Sequence, residues 1–246
     1  MGELIAVLSG KGGTGKTSLC AGIATALAQQ GENVLCIDCD VGLRNLDIAL
    51  GMSDSGALSF ADLFGGEYTL AQAGCHRDFP NLRFLTAPVN CRAEDVDREA
   101  FATLLQAARR SFSYIFLDAP AGIDAGFRLC ASFADRVILV TNSDPGSIRD
   151  AGHTASLLET MGKAQTRVVV NRLNEKMFSA TSRTVDDLMD EVGLPLLGIV
   201  PEDMNIPLSA AFGTPLLGYS KKSAAANACR RIAKRLMGFH VPLTIR

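Results

Sequence analysis

Between residues 9 and 18 the chain reads Ser9-Gly10-Lys11-Gly12-Gly13-Thr14-Gly15-Lys16-Thr17-Ser18, residue types and a spacing suited to holding phosphate. The pattern is GxxxxGK(S/T). Glycines let the backbone curl so that successive N–H groups face one anion, and a helix beginning where the loop ends adds its positive dipole end. Lys16 supplies a point charge, and the Thr17 hydroxyl stands where it can ligate a Mg²⁺ that bridges the β- and γ-phosphates. Lys11 is surplus to such a cradle, which needs one lysine. It is either a solvated loop residue or a cation that completes a phosphate site, its own or a partner's.

Acidic residues follow two further apolar runs. Val34-Leu35-Cys36-Ile37 ends in Asp38-Cys39-Asp40, and carboxylates at i and i+2 of an extended chain share a face, so both can point toward the phosphate end. Such a pair suits Mg²⁺ or an attacking water; the plainer alternative is a turn. Tyr114-Ile115-Phe116-Leu117 ends in Asp118-Ala119-Pro120-Ala121-Gly122, where Asp118 can reach a nucleotide-bound Mg²⁺ through a water. Gly122 has no side chain, so its N–H can approach a γ-phosphate, which is how a switch is built. Together the three motifs indicate nucleoside triphosphate hydrolysis.

The elements that must position these groups are legible as runs rich in Val, Ile and Leu. Besides those ending at Leu8, Ile37 and Leu117, they span Leu82 to Leu85, Val137 to Val140, Val168 to Val170 and Leu196 to Val200. Most do not alternate polar with apolar, the habit of strands covered on both faces. Helical faces lie between them: Leu19, Ile23, Ala26 and Leu27; Phe101, Leu104, Leu105 and Ala108; Leu157, Leu158 and Met161. The fold class predicted is α/β: a single-domain P-loop NTPase with a mostly parallel central sheet of about seven to eight strands and helices on both faces. The domain is predicted over 1–238, with a short tail over 239–246.

Charge and cysteine content bound the function further. With 24 basic and 26 acidic side chains the net charge is -2, against the global positive field of a dedicated nucleic-acid coat. The segment from Lys221 to Arg235 nevertheless carries six basic residues and no acidic one. Cys36 and Cys39 have CxxC spacing without a second pair and read as buried thiols; His76, His153 and His240 lack metal-ligand spacing. The chain begins without a basic region ahead of its first apolar run, which predicts the reducing cytoplasm. No apolar run approaches the ~20 residues of a membrane span.

Lys11-Gly12-Gly13-Thr14-Gly15-Lys16-Thr17 resembles the deviant Walker A loop of the MinD/ParA family. Ile37-Asp38-Cys39-Asp40-Val41-Gly42-Leu43-Arg44-Asn45-Leu46-Asp47 is similar to a stretch particular to its MinD branch; Leu117 to Asp124 and Val200-Pro201-Glu202-Asp203 fit the same family. The resemblance spans nearly the whole chain. It implies a Mg²⁺-dependent ATPase whose two copies pair face to face on binding ATP, Lys11 reaching the partner's phosphates. It further implies that Asp40 positions or polarises the attacking water, that Asp38 and Asp118 organise the metal's water shell, and that Thr17 ligates the metal. Adenine contacts map onto Asn171, whose amide both donates and accepts, and onto Pro201, Glu202 and Asp203. The alternative for Asn171 is a helix or turn cap.

The implied partners are a division inhibitor and an ATPase activator of the MinC and MinE kind. The implied location is the cytoplasm and the inner face of the cell membrane, and the implied output is positioning of the division site. The C-terminus departs from that pattern. Lys221 to Leu236 reads as a last core helix, with Ala225, Cys229, Ile232 and Leu236 on one face, and Pro242 breaks any helix in the tail that ends at Arg246. So short a tail is a poor membrane anchor, although a dimer gains avidity from two weak ones. The rival readings are a ParA-like DNA-partition or flagellar-number ATPase using Lys221, Lys222, Arg230, Arg231, Lys234 and Arg235 against phosphates, a metabolic P-loop ligase or kinase, and an iron–sulfur reductase built on Cys91 and Cys130.

Overall fold

The seven apolar runs become strands of one sheet in the computed structural model, which describes residues 1–89, 91–180 and 184–244. The strands are β1 (Glu3–Leu8), β2 (Val34–Asp38), β3 (Gly74–Cys75), β4 (Leu82–Leu85), β5 (Tyr114–Asp118), β6 (Arg136–Asn142), β7 (Thr166–Leu173) and β8 (Leu196–Pro201). Their order is β3-β4-β2-β5-β1-β6-β7-β8. All neighbours are parallel except β3 and β4. The two-residue β3 has no apolar run to announce it and sits antiparallel at the edge.

Between and after the strands run α1 (Lys16–Gln29), α2 (Leu46–Leu50), α3 (Arg98–Ser111), α4 (Ala125–Phe133), α5 (Pro145–Thr160), α6 (Glu175–Ala180), α7 (Val185–Val192), α8 (Asn205–Ala211), α9 (Leu216–Tyr219) and α10 (Ala224–Leu236). Period-two geometry divides each strand between two cores. On β1, Ile5 and Val7 join Leu19, Ile23 and Leu27 of α1 and Ile232 of α10. Leu4, Ala6 and Leu8 face the other way, among Phe101 and Leu105 of α3 and Phe127 of α4. A third cluster packs Val168, Val170 and Ile199 under Ile148 and Ala151 of α5 and Leu188 and Val192 of α7. Two covered faces explain why the runs are continuous rather than alternating.

The α3 face is the one its spacing predicts, Phe101, Leu104, Leu105 and Ala108. The face of α5 is shifted: Leu158 is core, but Leu157 and Met161 are half-buried, and the buried side carries Ile148, Ala151, Thr154 and Ala155 instead. Helix α10 buries Ala225, Cys229, Ile232 and Leu236 against α1 and β8. Gly238, at φ +89°, turns the chain out of it. Residues 239–244 then form no regular element, and Ile245 and Arg246 lie outside the described residues. Cys36 and Cys39 are buried free thiols.

Strand β1 lies between β5 and β6 near the middle of the sheet, so the loop leaving its carboxyl end emerges at the centre of that edge. Open parallel sheets bind ligands there.

Candidate nucleotide site

The loop from Ser9 to Gly15 joins β1 to α1 and takes its shape from glycine. Gly13 and Gly15 have φ of +80° and +82°, a region that strains any residue with a Cβ. A Cβ on Gly15 would also strike the Asn171 amide, and one on Gly10 the Thr154 hydroxyl. Asn171, buried at the end of β7, donates its Nδ2 to the Thr14 carbonyl at 2.7 Å. It therefore braces the loop across the sheet.

The loop lines a cavity of about 390 Å³, with Lys11 to Ser18 on one side and Asp40, Leu43, Asn45, Ile48 and Arg172 around the rest. A larger hollow of about 930 Å³ lies near Gly2, Glu32 and Arg109, where the strands begin. It is open and has no glycine loop, so chemistry selects the smaller one.

Lys16 opens α1 with its Nζ 2.8 Å from Asp118 Oδ1, the two side chains 7% and 1% exposed. Burial pushes the ammonium pKa down, but the Asp118 charge and hydrogen bond outweigh it and leave the pKa above its ordinary value. Thr17 is half-buried on the same first turn and lines the cavity.

Asp38 is wholly buried, in register with Asp118 on the adjacent strand. Its Oδ1 accepts from the Asp40 N–H at 2.9 Å and its Oδ2 from the Leu46 N–H at 3.1 Å. Burial and the Asp118 charge raise its pKa from 3.8 to about 6, against the pull of those two hydrogen bonds. Asp40 is half-buried on the cavity wall; burial and Asp118 raise its pKa while Lys16 lowers it.

Lys11 meets two carboxylates of this chain. Its Nζ lies 3.6 Å from Asp144 Oδ1 and 3.7 Å from Asp150 Oδ2, at the start of α5, and its side chain is 38% exposed. Gly122, at φ +97°, donates its N–H to the Ser9 carbonyl at 3.1 Å.

The segment after β8 is engaged elsewhere. Glu202 Oε2 accepts from Asn174 at 3.2 Å. Asp203 accepts from the N–H groups of Asn205 at 2.9 Å and Ala225 at 3.0 Å, fastening the start of α10. Pro201, Glu202 and Asp203 are not in the cavity lining, and Asn171 reaches it only through Thr14.

Four residues escape a reading of motifs. Asp144 and Asp150 hold Lys11 from a helix far along the chain, which no spacing reveals. Arg172 adopts φ +52° beside an irregularity in the β7–β8 ladder and stands at the cavity mouth. Asn142, in register with Asn171, leaves Oδ1 buried without a partner among the described residues. Its signal was available, since it closes an apolar run as Asp118 does.

Among the described residues no three His, Cys, Asp or Glu side chains form a metal-binding group. The oxygens of Thr17, Asp38, Asp40 and Asp118 are nonetheless the hard donors that suit Mg²⁺ with retained waters. Cys130 is fully buried with its thiol against Cys39, away from any surface where two chains could share a cluster. Lys221, Lys222 and Lys234 are exposed, whereas Arg230 and Arg235 spend donors on backbone carbonyls.

A central parallel strand that runs through GxxxxGKT into a helix, with its lysine answered by a carboxylate ending the next strand, defines a P-loop nucleotide-binding protein. Residues 5–216 match the family described as the CobQ/CobB/MinD/ParA nucleotide binding domain, and the chain belongs to that family. It is 37% identical over 244 residues to the septum site-determining protein MinD of Synechocystis sp., covering 98% of this chain and 92% of that protein. Its structure is similar to a chain of the MinC:MinD cell division protein complex of Aquifex aeolicus, with a TM-score of 0.89, 35% identity and 98% of each chain covered. The septum site-determining protein MinD of Pyrococcus horikoshii, complexed with Mg-ADP, gives a TM-score of 0.82 at 26% identity, with 96% of each chain covered.

Proposed function

We propose that this protein is an ATP-dependent spatial regulator of the MinD kind. Mg-ATP drives two copies together, the pair engages protein effectors and a membrane surface, and hydrolysis releases them, so that the division site is positioned. The observation that carries this reading is Lys11. It sits inside the phosphate loop, yet it is held at the rim by two carboxylates at more than 3.5 Å, free to be drawn across to a second copy. A ligase or kinase acting on a small molecule has no use for it.

The residues then divide the work. Backbone N–H groups from Gly10 to Ser18 and the Lys16 ammonium hold the phosphates, and Lys16 exchanges Asp118 for them in part. Thr17 is the direct metal ligand, with Asp38 and Asp118 ordering its waters and Asp40 orienting the attacking water. When bound, Mg²⁺ neutralises charge on the β- and γ-oxygens. The Gly122 N–H reads the γ-phosphate after leaving Ser9. On the family resemblance alone we assign the adenine contacts to Asn171, Pro201, Glu202 and Asp203, which would have to leave their present partners to reach a base.

The domain is assigned to 1–238 and the tail to 239–246. No helix of the described residues is long and apolar enough to cross a membrane. We assign membrane contact to the tail, where Phe239 and Leu243 are 60% and 51% exposed and a dimer would present both twice. The proposed partners are a second copy, an inhibitor of the MinC kind and an activator of the MinE kind, and the proposed location is the cytoplasm and the inner face of the membrane. Sedimentation with anionic liposomes, with and without ATP and beside a random duplex DNA control, tests the reading. ATP-dependent pelleting with liposomes is the predicted result; salt-dependent DNA binding without liposome affinity would favour a ParA-like role.

A further inference from the structure

At the end of the sheet remote from the phosphate loop, three arginines from three elements line one small cavity. Arg136 opens β6, Arg167 is the second residue of β7, and Arg235 lies in the last turn of α10. With Gln165 and the backbone near Leu197 and Gly238 they enclose about 150 Å³, and the lining contains no carboxylate.

Part of this charge has a structural role. Arg136 gives Nε to Glu3 at 2.7 Å and Nη1 to the Leu236 carbonyl at 3.0 Å. Arg235 gives Nε, Nη1 and Nη2 to the carbonyls of Val241, Leu197 and Pro242 at 3.1, 2.7 and 2.7 Å, closing the helix end and the root of the tail. Carbonyl capping does not account for the rest. Arg167 makes no hydrogen bond or ion pair with any described residue and shares a strand face with Val169, toward α10. Arg231, one turn before Arg235, leaves Nη2 buried without a partner among the described residues. Burial and the Arg231 charge both lower the Arg235 pKa, so these two arginines repel each other. Each guanidinium carries five N–H donors, and several here remain unused.

We propose that this cavity is a binding site for a phosphomonoester-type dianion, either inorganic phosphate or the headgroup of a lipid, held by Arg167 together with the unspent N–H groups of Arg136 and Arg235. Planar guanidinium forks match the oxygens of a tetrahedral phosphate, and the volume admits one such group.

The test uses the full chain saturated with a non-hydrolysable Mg-ATP analogue, which fills the γ-phosphate position too, so that the phosphate loop cannot take up the probe. Inorganic phosphate is titrated calorimetrically, and vesicles of phosphatidylcholine with and without phosphatidic acid are then added as competitors. One phosphate per chain is the expected stoichiometry. Arg167→Ala weakens it about tenfold or more, without lowering the melting temperature, because Arg167 holds nothing else. Arg231→Ala, which relaxes the repulsion from outside the lining, keeps phosphate binding. Phosphate binding that phosphatidic acid vesicles displace supports the site with lipid as its source; binding that they leave untouched supports it with a soluble source. No binding of either probe, or equal binding by the wild type and Arg167→Ala, overturns the proposal.

Discussion

Asp38 and Leu46 are joined by a 3.1 Å hydrogen bond from the Leu46 N–H to Oδ2, so a carboxylate ending β2 caps helix α2 from eight residues upstream. The same side chain accepts from the Asp40 N–H, and the two bonds fix the loop that carries Asp40 to the cavity. Asp38 therefore shapes the site as well as charging it.

A pH dependence follows. Its folded pKa of about 6 lies above the ordinary 3.8, so the native state binds this proton more tightly than the unfolded chain. The stabilisation is present at low pH and is lost as pH rises from about 4 to about 6, on the order of 3 kcal/mol in all. Asp38→Asn cannot titrate and mimics the protonated carboxyl. Urea melts of the two proteins should nearly coincide near pH 4 and separate as the pH increases, the wild type losing stability that the variant keeps. A stability difference independent of pH would disprove the assignment.

The buried Lys16–Asp118 pair predicts strong non-additivity. Asp118→Ala strands an ammonium in the interior and should destabilise by about 3–5 kcal/mol. Lys16→Met combined with Asp118→Leu should recover most of that loss while abolishing nucleotide binding. Denaturant titrations of the two single variants and the double variant measure the coupling; additive effects would mean that the pair is not the unit the geometry describes.

Lys11→Ala should leave folding almost untouched, within about 1 kcal/mol, because two half-exposed pairs beyond 3.5 Å contribute little. It should lose ATP-dependent dimerisation in sedimentation velocity. A variant that still dimerises normally removes Lys11 from the partner's site.

Asp40→Ala should bind ATP and remain dimeric, with turnover reduced by roughly 10²- to 10⁴-fold. Single-turnover hydrolysis reads this directly, and an unchanged rate excludes Asp40 from water activation.

The sequence carries what is local. GxxxxGKT specifies loop and helix start because its φ angles demand glycine, and the long apolar strands are legible because burial on both faces makes them continuous. What it does not carry is contact at a distance. Asn171 braces Thr14 from 157 residues away, and Asp144 and Asp150 meet Lys11 only once α5 packs against β6, the neighbour of β1. The strand Gly74–Cys75 has no pattern, since an edge of two residues needs no buried side chain of its own. The buried face of α5 runs through Thr154 rather than through Leu157 and Met161, which apolar spacing does not reveal because the Thr154 hydroxyl is satisfied by the Asp150 carbonyl at 2.7 Å.

The bond from the Gly122 N–H to the Ser9 carbonyl joins the loops that leave β5 and β1. Any oxygen that recruits this N–H must outbid a peptide carbonyl. A neutral oxygen offers an even trade, whereas an anionic one binds about twice as strongly. On the proposed reading the two loops are a comparator: they would stay latched to each other against water and open to charge, with the threshold set by a single backbone hydrogen bond.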